Sequence, residues 1–152
     1  MIDKKYIGKK YKPVVYEVGK EKIKEYANAV GDLNPLYVDD EYAKNSKYGR
    51  IIAPPLFAVV FSKDAVAQVL LDPELALNLP MLVHGEQEFE FYKIVKSNDV
   101  ITTEAEIADI YSKPEKNLDF VVCKTTSRNQ DGEIVCSGKY TFVIRGWKFW
   151  KR

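Results

Sequence analysis

In the segment EQEFEFY (86–92), glutamates alternate with Gln87, Phe89 and Phe91, so one face is acidic and the other largely apolar. A period of two predicts a strand with one covered face. The same period runs through VITTEAEIADIY (100–111), where Ile101, Thr103, Ala105 and Ile107 share a face. LDFVVCKTTS (118–127) and EIVCSGKYTFVIRG (133–146) follow, joined by RNQDG, a polar connection suited to a hairpin. The second half of the chain is expected to form an antiparallel meander.

The first half follows the helical period. In KEKIKEYANAV (20–30), Ile23, Tyr26, Ala27 and Val30 fall at i, i+3, i+4 and i+7, and Gly31 stands where such a helix ends. The loop GDLNPLYVDD (31–40) comes next, then a short helical or irregular piece, DDEYAKNSKYG. APPLFAVVFSKDAVAQVLL (53–71) opens with prolines, which a first helical turn tolerates. It continues apolar on nearly every side apart from Ser62, Lys63, Asp64 and Gln68. Such a helix has to be wrapped. Residues 72–82 read as a connector with a short turn of helix, and a first strand is expected near 11–18. Helices gathered in one half and strands in the other give the α+β class. One long apolar helix wrapped by a curled antiparallel sheet is the arrangement of the hotdog fold. Such a sheet has exposed edges, so pairing into a dimer is expected.

At 152 residues, the chain is sized for one domain spanning 1–152, with a core over about 5–145 and a tail at 146–152. Its 23 basic and 22 acidic side chains nearly cancel, which argues against a nucleic-acid partner. The basic, aromatic WKFWKR tail is short and reads as a strand extension or an interface segment. MIDKKYIGKKY lacks the apolar run of a signal peptide, and the longest apolar run, 54–61, is too short to span a bilayer. The expectation is a soluble, cytoplasmic protein without membrane attachment. Cys123 and Cys136 suit buried free thiols. No metal-ligand cluster, phosphate-cradling loop or Cys-His pair is visible, and no cofactor is expected.

YANAVGDLNPLYVDDEYA resembles the signature of the MaoC-like hydratases and dehydratases, in which a helix ends in Gly-Asp-x-Asn-Pro, then an apolar residue and a histidine. With IIAPPLFAVVF and LVHGEQEFEFYKIVKSNDVI, the chain is similar to the N-terminal-type, FAS1-like dehydratase domain. It is also similar to the non-catalytic subunits of mycobacterial (3R)-hydroxyacyl-carrier-protein dehydratase. The resemblance covers roughly residues 5–145. It implies a hydro-lyase chemistry, the reversible addition of water across a trans-2-enoyl thioester. A base activates water for attack at C3, an acid protonates C2, and an N–H at the start of the central helix polarises the thioester carbonyl. The substrate then carries its own CoA or phosphopantetheine.

Carried onto this sequence, the catalytic Asp falls on Asp32 and the pair that shapes the loop, expected also to bind substrate together with Leu56 and Phe57, on Asn34 and Pro35. The His falls on Tyr37, a residue type that ionises near pH 10 and is a poor base at neutrality. Catalytic members open the central helix with His-Gly; here Pro54 and Pro55 stand in its place and offer no N–H, so an oxyanion donor is expected from Leu56 or Phe57. Asp32 also suits a plain turn cap. Tyr37 suits closure of the pocket or contact with an acyl chain. His84, the only histidine, is a candidate base, a contact for the phosphopantetheine arm or a hydrogen-bond partner across a dimer. Lys44, Lys47, Arg50 and Lys63 suit CoA or an acidic carrier protein, but equally the ordinary coating of a domain.

Three functions remain open on this reading. The first is a dehydratase or hydratase subunit, as a homodimer or paired with a His-bearing catalytic paralog. The second is a self-sufficient enzyme in which Tyr37 or His84 assists Asp32. The third is a non-enzymatic acyl-thioester-binding or scaffolding domain. A hotdog thioesterase fits less well, because Asp64 lies two to three turns into the central helix.

Overall fold

A computed structural model describes residues 2–146 of the chain. Apart from Gly146, the tail expected at 146–152 lies outside the described residues. The first half holds β1 (Val14–Glu17), α1 (Lys20–Val30), α2 (Pro35–Val38), α3 (Asp40–Asn45) and the central helix α4 (Ala58–Leu70). The second holds β2 (Leu82–Phe91), β3 (Val100–Lys113), β4 (Leu118–Arg128) and β5 (Ile134–Arg145). The strands form one antiparallel sheet in the order β1-β3-β4-β5-β2, with α4 packed on it. This is the α+β hotdog arrangement expected from the residue pattern, with the sheet left open.

The core divides along α4. Around its head, Phe57, Ala58 and Phe61 pack with Ile23, Ile51, Ile101 and Val135. Around its tail, Ala65, Val66 and Val69 pack with Ile107, Ile110, Val121 and Phe142. Ser62, between the two halves, is a polar residue that the helix buries. Its hydroxyl reaches the carbonyl of Ala58 at 2.6 Å and the hydroxyl of Tyr140 at 2.8 Å, so burial leaves it satisfied. Beyond the helix, Asp72 lashes the N-terminal segment down, accepting from Tyr11 Oη and Lys9 Nζ, each at 2.6 Å, and from the Glu74 N–H at 2.9 Å.

The period-two face of β3 is buried as expected at Ile101, Thr103, Ala105 and Ile107. A bulge between Ile107 and Asp109 then changes phase, returning Ile110 to the core. The strand read at 86–92 differs from expectation in extent and cover. It begins at Leu82 and is an edge strand, so of its alternating face only Phe89 is half-buried while Phe91 stays 45% exposed. The bulge between His84 and Glu86 falls at a position that only glycine fits, because a Cβ on Gly85 would meet Cγ2 of Val143 at 2.6 Å. The bulge sets His84 opposite Phe142 and Gln87 opposite Tyr140, so His84 shares the helix-side face with Gln87, Phe89 and Phe91.

The central helix is shorter than its apolar run. Pro54 and Pro55 hold the chain in a 3-10 turn, Pro55–Phe57, before α4 proper begins at Ala58.

Candidate functional site

The loop at residues 31–38 is built by two capping devices in succession. Gly31 ends α1 at φ 74°, a left-handed conformation that L side chains adopt at a cost, and the Asp32 N–H returns to the Ala27 carbonyl at 3.0 Å. Asn34 then opens α2, its side-chain oxygen accepting the Leu36 N–H at 3.0 Å, with Pro35 in the first helical position. Asn34 and Pro35, expected to bind substrate, thus have a structural duty that fixes where Tyr37 lies. The Asp32 carboxylate accepts only a long 3.4 Å bond from the Asn34 N–H and is exposed. It is available for other work.

Asp32 and Tyr37 are brought together. Burial raises the pKa of the Tyr37 phenol, and the negative charge of Asp32 raises it further, with a smaller contribution from Tyr48. At neutral pH, Tyr37 is therefore a hydrogen-bond donor. Its ring packs against the core around the head of α4. Tyr48 was not legible as a neighbour of this loop, since it stands in the turn after α3 and no periodicity or motif marks it.

The loop is docked beside the start of α4 by a ladder of backbone bonds. The Ile52 N–H donates to the Leu36 carbonyl at 3.1 Å, and the Ala53 N–H to that of Val95 at 2.8 Å. At the helix start the two expected donors separate. The Phe57 N–H is already given to the Pro54 carbonyl at 2.9 Å, and its ring is fully buried in edge contacts with Tyr16, Tyr26 and Phe61. The Phe57 side chain is thus part of the core around the head of α4. Leu56, one residue earlier in the same turn, is 55% exposed.

Against the same turn lies an apolar cavity of ≈ 200 Å³, lined by Pro54, Pro55, Phe61, Phe91, Tyr92 and Cys136 among others. Burial pushes the Cys136 thiol up to about 11, so it is a neutral wall residue. Its walls are predominantly apolar.

His84 is not brought to this place within one chain. Its ring lies over Tyr140 and Phe142, with centroids 6.0 and 5.3 Å away, toward the opposite end of β2 from Phe91. Six residues, one of them the bulge at Gly85, lie between the two, which places them roughly 20 Å apart along the strand. Among the described residues, no helix is long and apolar enough to cross a membrane.

A family model described as the FAS1-like, dehydratase domain region matches residues 5–137. A UPF0336 protein from Saccharopolyspora erythraea is 40% identical over 146 residues, 95% of this chain and 92% of that protein. Another from Streptomyces avermitilis is 43% identical over 145 residues, 95% of each chain. Among solved structures, the C-terminally truncated HadBC (3R-hydroxyacyl-ACP dehydratase) complex from Mycobacterium tuberculosis is similar. Its TM-score is 0.77 at 25% identity, covering 91% of this chain and 96% of that one. The R-hydratase PhaJ1 from Pseudomonas aeruginosa shares the fold, with a TM-score of 0.70 at 24% identity over 92% of this chain and 82% of its own.

Proposed function

The chain belongs to the FAS1-like dehydratase-domain family, and on that premise we propose that it is a subunit of a (3R)-hydroxyacyl-thioester dehydratase, equivalently an (R)-specific enoyl-thioester hydratase. It holds the acyl thioester while a partner chain of the same fold supplies the histidine base. The observation that carries this reading is Tyr37. The loop around it is complete, with Gly31, Asp32, Asn34 and Pro35 in place, yet the position that needs a base holds a phenol kept protonated by burial and by Asp32.

In this reading the acyl chain occupies the cavity beside Pro54 and Pro55, and the Leu56 N–H faces the thioester oxygen as it gains enolate character. Asp32 orients the water that adds to C3, and Tyr37 donates a hydrogen bond but removes no proton. Similarity to the HadBC (3R-hydroxyacyl-ACP dehydratase) complex supports a multi-subunit arrangement and an acyl group carried on a carrier protein.

The test is hydration of crotonyl-CoA. The purified chain alone is expected to be nearly inactive and to gain activity with a family partner carrying Gly-Asp-x-Asn-Pro-x-His. Full activity from the isolated chain excludes the partner requirement. The unusual start of α4, with two prolines and the Phe57 N–H already committed, favours one other reading, a domain that binds acyl thioesters without turnover. Calorimetry with acyl-CoA ligands separates them: tight binding without activity under any partner condition supports that second reading.

A further inference from the structure

The cavity at the head of α4 runs inward from a surface rim. Phe91, Tyr92 and Ile94 on its wall are exposed, whereas Ala53, Phe61, Val135 and Cys136 are buried. Phe61 belongs to α4, and Val135 and Cys136 to β5, so the inner end lies between helix and sheet. The same two elements are tied together by Ser62 of α4 and Tyr140 of β5, whose hydroxyls meet at 2.8 Å. Tyr140 also stands edge-on to Phe89, whose ring centroid is 5.8 Å from that of Phe91 on the cavity wall. A slot that continued inward past Phe61 would have to break this buried hydrogen bond, which is costly away from water.

We propose that the cavity accepts a straight aliphatic tail of no more than about eight carbons, with the Phe61 ring as its stop. An apolar cavity of about 150 Å³ holds benzene, six carbons, and in proportion the ≈ 200 Å³ here holds about eight. Of the three aromatic residues on the wall, Phe61, Phe91 and Tyr92, only Phe61 is buried. Its ring packs against that of the buried Phe57, with centroids 6.4 Å apart, so it is held from swinging aside. Size rather than charge sets the limit. Lys93, the one charged side chain among the described wall residues, is exposed and paired with Glu133. The size limit rests on the cavity alone; its translation into short- and medium-chain acyl thioesters as substrates rests on the proposed function.

The test is a length series with two classes of probe. Saturated acyl-CoA thioesters from butyryl to dodecanoyl cannot be hydrated, so calorimetry reads their binding free of turnover. Straight-chain alcohols from butanol to decanol present the tail without the thioester. Carbon-13 methyl spectra of Ala53, Val95 and Val135, all on the wall, report whether a tail is in the cavity. Affinity in both classes is expected to rise about fourfold per methylene while those signals move. The rise should stop at about eight carbons. A rise that continues beyond that length in either class, or methyl signals that stay in place with both, overturns the proposal. Alcohols that level off as expected, alongside acyl-CoA thioesters that bind no better than CoA itself, refute the thioester reading and leave the size limit standing.

Two variants assign the stop. Phe61→Ala should move the break to chains about two to four carbons longer, less than the six of the ring because the surroundings partly collapse. An unmoved break in a variant that keeps the parent methyl spectrum overturns the role of Phe61. Ala53→Val adds two methyl groups to the wall and leaves Phe61 in place, so it should move the break to shorter chains. That second variant carries the test even where Phe61→Ala does not fold, and a break it leaves unmoved shows that this cavity does not set the length.

Discussion

Tyr37 and Asp32 stand on one capped turn, and burial together with the Asp32 charge holds the Tyr37 phenol above its ordinary ionisation range. The first consequence concerns activity. Tyr37→His restores an imidazole to a loop already shaped for it. Crotonyl-CoA hydration by the isolated chain is expected to rise on the order of 10²-fold, the lower end of what a positioned base contributes. Adding Asp32→Asn to that variant should remove most of the gain. A Tyr37→His chain as inactive as the parent would show that the helix start, not the base, is limiting.

The same relationship has a spectroscopic consequence. Removing the charge with Asp32→Asn takes away one of the causes that raise Tyr37, so its phenol should ionise at lower pH than in the parent. Carbon-13 labelling of the tyrosine Cζ positions follows this directly, with Tyr37 assigned by its loss in Tyr37→Phe.

The loop depends on its caps, and stability should register that. A Cβ at Gly31 meets nothing within 4 Å, so Gly31→Ala reports backbone strain alone, about 1 kcal/mol at φ 74°. Asn34→Ala forfeits the α2 cap, again about 1 kcal/mol. Urea denaturation midpoints measure both, and in Asn34→Ala the Tyr37 signals should move as well.

Phe57 provides a contrast. It was expected at the site, but it is fully buried among Tyr16, Tyr26 and Phe61. Phe57→Ala should cost about 3–5 kcal/mol through the lost aromatic contacts and the cavity left behind. Leu56→Ala, one residue earlier and exposed, should shift the denaturation midpoint little.

Asp72 sets an acid limit. Burial pushes its carboxyl up, but hydrogen bonds from Lys9, Tyr11 and the Glu74 N–H outweigh that, leaving it below the ordinary carboxylate value. A lowered folded-state pKa contributes stability that is present above the unfolded value of about 3.9 and is lost as pH falls through the folded one. The parent should therefore lose stability progressively below about pH 5. Asp72→Ala should start less stable at neutral pH and show a shallower decline, as read from midpoints across that range.

Much of this was legible in the residue pattern, for reasons particular residues make plain. The period-two face of β3 announced itself because Ile101 to Ile107 are covered on one side only. The helix stripe of Ile23 and Ala27 did so because Gly31 ends it cleanly. The edge position of β2 was not legible: Gln87, Phe89 and Phe91 alternate as a covered strand would, whether their cover comes from the same chain or another. The bulges at Gly85 and Ala108 were hidden for a related reason, since a change of phase depends on packing across strands, as at Val143. At the site, the motif located Asp32 and Tyr37, but not the commitment of the Phe57 N–H, the approach of Tyr48 or the distance to His84. Those follow from how the 51–53 segment docks, and hydrophobic spacing carries no record of it.

The two thiols turn the divided core into a pair of clocks. Cys136 belongs to the half around the head of α4 and Cys123 to the half around its tail, and burial pushes them up to about 11 and about 12. In the native state, each is shielded from alkylating reagents both by cover and by the scarcity of thiolate. The labelling rate of each thus counts how often its own half opens. An acyl ligand seated at the head of α4 would slow the clock at Cys136 while the one at Cys123 kept its pace, separating occupancy of the cavity from a general tightening of the fold.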